Sequence, residues 1–154
     1  MKSLDGDLDK ALGRISGGLY VVTASQGDGE GSRRGAMVAS WVSQASFNPP
    51  GLTVAVAKDR AIEALMQVGD RFVLNVLRQD NHQPLLRHFL KRFPPGADRF
   101  AGVNVLDGVA DGGPVLGDAL AYLGCRVEQR LEGPDHWIIY ACLLYTSDAA
   151  DDRL

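Results

Sequence analysis

The residues of this sequence best suited to chemistry are a set of serines, two cations that follow them, and one distant histidine. Ser40, Ser43 and Ser46 lie in GAMVASWVSQASFNPPGLTVAVA, residues Gly35–Ala57, and Lys58 and Arg60 come directly after it. Several residues around the serines are also small: Gly35, Ala36, Ala39 and Ala45. A strand that only filled a core would carry more bulk. Small side chains let a flat ligand reach the backbone, and the hydroxyls offer short hydrogen-bonding groups. The Lys58-Asp59-Arg60 segment reads as the start of a helix, where a phosphate binds well. Cations there oppose the helix dipole, and a bound phosphate would account for them. A flat ring followed by a phosphate points to flavin mononucleotide (FMN). The plain alternative for Lys58 and Arg60 is two solvated surface cations.

The elements that must position these groups are mostly strands. Pro49 and Pro50 disfavour helical backbone in the residues before them, and Gly51 relieves the turn. The stretch therefore reads as two strands joined by Asn48-Pro49-Pro50-Gly51. Leu8–Ile15 reads as a short helix stopped by Gly17-Gly18, and Leu19–Ala24 as a strand. Residues 26–34, QGDGEGSRR, form a polar loop. Asp59 is placed to cap a helix over Arg60–Val68, with Ile62, Leu65 and Met66 buried and Gly69 as its stop. A strand is expected over Arg71–Leu77, a helix over Pro84–Leu90, and strands over Ala119–Leu131 and Trp137–Ala141.

Several separated motifs carry a resemblance. ASWVSQASFNPPGLTVAVAKDRAIEAL resembles the FMN-binding core of the flavin reductase-like split barrels. Together with ALGRISGGLYVVTA, FVLNVL, HFLKRFPPGADRFAG, DALAYLGCRVE and DHWIIYA, it is similar to the C-terminal flavin reductase domain of cyanobacterial diflavin flavodiiron proteins. The resemblance runs from about Asp7 to Ala141. It implies a mostly β split barrel with peripheral helices, a homodimer with FMN at the subunit boundary, and NADH or NADPH as electron donor. It implies an NAD(P)H:flavin oxidoreductase that passes electrons to a flavodoxin-like domain and a diiron domain, neither of which lies in this sequence. A pyridoxamine phosphate oxidase-like enzyme and a non-catalytic FMN carrier are the alternatives.

The resemblance also assigns residues. Ser40, Trp41, Val42 and Ser46 match positions that wrap the flavin ring and ribityl chain; the alternative is an ordinary strand with a core Trp. Phe89 falls where the family covers the ring, with a core Phe as the alternative. Asp135-His136 resembles the end of a Gly-Asp-His motif near flavin and nicotinamide, but here Pro134 precedes Asp135. His136 is therefore the catalytic candidate, as a polarising or orienting group, or else a histidine that satisfies a turn. Hydride transfer between nicotinamide and flavin needs no protein acid or base at its core. No Rossmann glycine loop is present, so NAD(P)H would bind in an open cleft over the flavin.

Composition narrows the rest. The sequence has 154 residues, 45% hydrophobic, with 18 glycines and a net charge of −3. That suits one globular domain and disfavours nucleic acid or anionic membrane as partners. The two cysteines form no CxxC pattern, and the acidic N-terminus lacks an apolar signal core, so a cytoplasmic location is expected. His82 and His88 have no metal-ligand spacing, and no metal site is expected. Residues 1–6 read as a linker remnant and 7–141 as the domain. CLLYTSDAADD, from Cys142, matches the translation of a common sequencing adaptor. Residues 142–154 are thus expected to be a non-native tail, the alternative being a true strand over Leu143–Thr146.

Overall fold

A computed structural model describes residues 6–15, 17–27, 33–80, 82–106 and 108–147. Most of the proposed linker (residues 1–5), the loop tip at 28–32 and the last seven residues lie outside the described residues. Among the described residues the fold is built on one seven-stranded antiparallel sheet, in the order β2-β1-β5-β8-β9-β4-β3. The strands are β1 (Tyr20–Gln26), β2 (Arg33–Ala39), β3 (Val42–Phe47), β4 (Pro50–Ala57), β5 (Arg71–Val76), β8 (Ala121–Glu132) and β9 (His136–Thr146). A second sheet pairs β6 (Val105–Leu106) with β7 (Val115–Leu116). Two helices, α1 (Gly6–Gly13) and α2 (Gln83–Leu90), complete it. The mostly β reading holds. The sheet's two edge strands, β2 and β3, are not paired to each other, so the barrel stays open between them.

The serine-bearing strand is not one strand but two. It leaves β2, which pairs with β1, crosses at Ser40-Trp41, and re-enters the opposite edge as β3, which pairs with β4. The run pairs with β1 over Arg33–Ala39 and with β4 over Val42–Phe47, and Ser40 and Trp41 belong to neither strand.

The expected helix over Arg60–Val68 is a single 3-10 turn, Ala61–Leu65. Arg60, not Asp59, holds its N-cap position, and no side chain caps it. Gly69 N–H donates to the Val127 carbonyl at 2.9 Å and Val127 N–H to the Asp70 carbonyl at 2.8 Å. The chain is thus fixed on β8 soon after the turn and has no length for a longer helix. The apolar reading of the segment still holds, with Ile62, Leu65 and Met66 buried. Gly35 lies close beneath it, where a Cβ would meet the Ile62 side chain at 3.2 Å and need it to shift slightly.

Strand alternation divides the apolar residues between two cores. Val22, Val54, Val56, Phe72, Leu74, Val127 and Ile139 fill the inside of the curled sheet. Val21, Leu77, Leu85, Phe89, Phe100 and Leu116 form a second core under α2 and the β6–β7 pair. Each fully buried Val or Leu contributes roughly 1.5–3 kcal/mol.

β9 does not end at Ala141. Leu143 pairs with Cys125 and packs on the inner core, and Tyr145 pairs with Gly124. A Cβ at Gly124 would overlap the Tyr145 ring, so the two fit only as a glycine against an aromatic. The segment expected as a tail from Cys142 is therefore, through Thr146, part of the sheet.

Candidate functional site

The crossing at Ser40-Trp41 and the end of β4 face one another across a cavity of about 200 Å³. Its walls are Met37, Val38 and Ala39 of β2, Ser40 and Trp41, Ala55 and Ala57 of β4, Arg60 and His136. Four of the sequence-assigned residues, Ser40, Trp41, Arg60 and His136, are thus brought together from three separated parts of the chain. Alternation puts Val54 and Val56 in the core and leaves Ala55 and Ala57 for the cavity wall. Sequence reading did not name those two alanines as site residues, although the Val-Ala-Val-Ala run carries the signal.

His136 is placed by its register opposite Ala57, the last residue of β4. Its ring lies 4.7 Å from that of Trp41, tilted by 45°. Its Nδ1 stands 2.8 Å from Oδ1 of Asp135. Hydrogen bonding to His136 holds the Asp135 carboxyl below the ordinary carboxylate range, with the nearby Lys58 charge a lesser cause. The carboxylate fixes which imidazole nitrogen faces it, leaving Nε2 free to meet a ligand. Trp41 is 64% exposed, an unusual state for so large an apolar ring.

The two cations have different surroundings. Lys58 pairs with Glu132 at 2.6 Å and lies 5.7 Å from the centre of the Trp137 ring. It is not part of the cavity wall. Arg60 lines the cavity and, among the described residues, makes no side-chain hydrogen bond or ion pair. A one-turn 3-10 helix has little macrodipole, so an anion here would depend on the guanidinium rather than on a helix end.

The remaining assigned residues fall elsewhere. Val42 lines a different cavity of about 360 Å³, with Tyr20, Ser43, Gln44, Leu52 and Leu143 among its walls. Ser46 sits beyond the irregularity in β3, opposite Gly51. Phe89 is 7% exposed in the second core, with its ring 5.6 Å from Phe100, and lines neither cavity. Burial pushes the Cys125 thiol up to about 12, with Cys142 adding to it, so it is not a nucleophile near neutral pH. Among the described residues no group of three or more His, Cys, Asp or Glu is arranged to hold a metal ion.

The open curled sheet carries a small-walled cleft at its seam, and comparison with known proteins gives the class of fold it belongs to. The flavin reductase like domain model matches residues 12–147. The chain belongs to that family. It is 67% identical over 141 residues to diflavin flavoprotein A 1 of Synechocystis sp. (strain ATCC 27184 / PCC 6803 / Kazusa) and 64% identical to the putative diflavin flavoprotein A 3 of Nostoc sp. (strain PCC 7120 / SAG 25.82 / UTEX 2576). Those alignments take in 92% of this chain but 24% of each relative, so the chain spans about a quarter of their length. Among solved structures, the NADH:FAD oxidoreductase SgcE6 of Streptomyces globisporus C-1027 superposes with a TM-score of 0.77 at 26% identity, over 97% of this chain and 89% of that one. BorF, the flavin reductase component of a bacterial two-component tryptophan halogenase, gives 0.74 at 27%, over 92% and 85%. The sequence resemblance to flavin reductase domains is therefore correct. Among the described residues no helix is long and apolar enough to cross a membrane.

Proposed function

We propose that this chain is an NAD(P)H:flavin oxidoreductase domain that binds FMN in the cleft at the Ser40-Trp41 crossing. The observation that carries the reading is the convergence of small walls, Arg60 and His136 on one cavity in a chain of this family. The residues fit the group. Ala39, Ala55 and Ala57 leave room for a flat ring, Trp41 offers an apolar face, and the unpaired Arg60 suits a phosphate monoester. When bound, FMN supplies a ring that accepts a hydride equivalent and passes electrons onward. The chain's own part is to hold the nicotinamide close and in line, a matter of proximity and orientation. His136, fixed by Asp135, orients the reacting pair from the cavity rim.

A cavity of 200 Å³ is smaller than the roughly 300–1,000 Å³ that encloses a molecule of this size. A second copy of the chain would supply the missing wall, and the exposed edge strand β3, with Phe47 and Trp41 beside it, offers a surface for it. A homodimer is accordingly part of the reading. In a protein of the length of the diflavin relatives, the electrons would pass to a flavodoxin-like domain and a diiron centre. Residues 7–141 together with the paired end of β9 would form the reductase unit.

Anaerobic mixing of the FMN-loaded chain with NADH and with NADPH tests the reading. Bleaching of the flavin absorbance at a rate that saturates with donor is expected, and the faster donor gives the nucleotide preference. Flavin that binds but is bleached by neither donor would make the chain an electron carrier without its own hydride donor.

A further inference from the structure

Arg130 of β8 is the most buried cation with a carboxylate partner, its side chain only 9% exposed, and it lies outside the cavity. Its guanidinium stacks over the Trp137 ring at 4.1 Å. One terminal nitrogen donates to Glu63 and the other to Gln67. Its Nε is buried and, among the described residues, has no hydrogen-bond partner. A surface ion pair would not need that arrangement, since a buried donor left unmade is costly.

What the cation holds is the turn that carries Arg60. Glu63 N–H donates to the Arg60 carbonyl at 3.1 Å, and Met66 N–H donates to the Glu63 carbonyl at 3.1 Å. Gln67 also donates to the Glu63 carbonyl, through its side chain, at 3.1 Å. Among the described residues Arg60 itself has no side-chain partner, and it projects into the cavity from a turn without a side-chain cap. Arg130 of β8, stacked on Trp137 of β9, thus holds Glu63 and Gln67 at the far end of a one-turn helix, while its near end presents the Arg60 guanidinium. The stack reaches the site's rim along a second line. Trp137 follows His136 in β9 and also lies under Lys58, whose backbone N–H donates to the Asp135 carbonyl at 3.0 Å.

We infer that Arg130, clamped between Trp137, Glu63 and Gln67, is a positioning residue that sets Arg60 for the phosphate of the bound flavin. This rests on the reading of Arg60 as the phosphate ligand. Lysine is a poor replacement, because its ammonium lacks the planar fork whose two ends reach Glu63 and Gln67 and cannot stack flat on indole.

Flavin affinity distinguishes the clamp from simple support. FMN and riboflavin differ by the phosphate alone, so their affinity ratio reports on Arg60, whereas general loosening weakens both alike. Fluorescence titration of the full chain with each flavin would be made for Arg130→Lys, Glu63→Gln, Arg60→Ala and the double variant Arg60→Ala/Glu63→Gln. Glu63→Gln is the variant least exposed to folding failure, since it keeps shape and one acceptor. The expected result is a loss of about five- to tenfold in FMN affinity for Arg130→Lys and for Glu63→Gln, about 1–1.4 kcal/mol, with riboflavin within about twofold of the parent. In the Arg60→Ala background, Glu63→Gln should change nothing further. An unchanged FMN-to-riboflavin ratio in both clamp variants, with the ratio collapsed in Arg60→Ala, overturns the clamp and leaves the phosphate site standing. An unchanged ratio in Arg60→Ala overturns the phosphate site, and the clamp with it.

Discussion

Two irregular segments interrupt the strands, and they treat their polar groups in opposite ways. The segment Asp111–Leu116, a turn and the short strand β7 that follows it, is tied down along its length. Ser25 N–H donates to the Gly112 carbonyl at 2.8 Å, the Thr23 hydroxyl to the Pro114 carbonyl at 2.6 Å, and the Tyr145 hydroxyl to the Asp111 carbonyl at 2.6 Å. Leu116 N–H donates to Oδ1 of Asn75 at 3.0 Å, while Asn75 Nδ2 donates to the Val21 carbonyl and to Thr23 Oγ1. Thr23 and Asn75 are completely buried. The crossing at Ser40-Trp41, with Arg60 opposite it, is exposed and leaves a hydroxyl, an indole and a guanidinium facing open space. A segment whose polar groups are satisfied within the chain holds the fold together. One whose polar groups face a cleft is available to a ligand. The contrast predicts that changes in the first segment alter stability without altering flavin affinity, and that changes in the second do the reverse.

The largest effect expected is on the tied side. Deleting residues 142–154 removes the second half of β9, with Leu143 from the core and the Tyr145 tether. One apolar burial and several hydrogen bonds give a loss of roughly 4 kcal/mol or more. Urea unfolding would register it; an unchanged midpoint would mean that the sheet does not use this segment. Next comes Asn75→Ala. It strands the buried Leu116 N–H and removes two donated bonds, which should cost about 3 kcal/mol. Riboflavin and FMN affinities of the folded fraction should stay as in the parent.

On the open side, Arg60→Ala should weaken FMN about ten- to a hundredfold, since a charge-assisted bond is worth roughly 1.5–3 kcal/mol. Its thermal midpoint should barely move. A drop in stability comparable with that of Asn75→Ala would erase the distinction between the two segments. The smallest effect concerns Asp135. Its carboxyl titrates low because His136 hydrogen-bonds it. A depressed carboxylate contributes stability above its unfolded pKa, near 3.9, and that stability is lost as pH falls through the folded value. In His136→Ala the Asp135 titration, followed by carboxyl carbon NMR, should move back up toward the ordinary range. Stability should then fall less between pH 4 and the lower folded value.

Much of the strand pattern was legible because it depends on alternation. Val54 and Val56 against Ala55 and Ala57, and Val21 against Val22, are written into the order of residues. The small, hydroxyl-rich stretch and Arg60 could be proposed as site residues from the sequence, because small walls and an unexplained cation are local properties, and the structure sets Ser40 and Arg60 on one cavity. Phe89 did not. An aromatic on an apolar helix face fits a core and a ligand cover equally well, and here it is held by Phe100 and Leu85.

The sequence by itself determined which residues alternate, where glycine and proline turn the chain, and which side chains are small enough to admit a flat ring. Those follow from each residue's own shape and its near neighbours. Only the tertiary structure decided which distant groups meet. It broke the serine strand at Ser40-Trp41, where the run passes from its pairing with β1 to its pairing with β4. It shortened the following helix to one turn, because Gly69 and Asp70 must bond to Val127 of β8. It gave Lys58 to Glu132, left Arg60 free, and set His136 beside Trp41, 95 positions away along the chain. Strand register made each of those choices, and register depends on all seven strands at once.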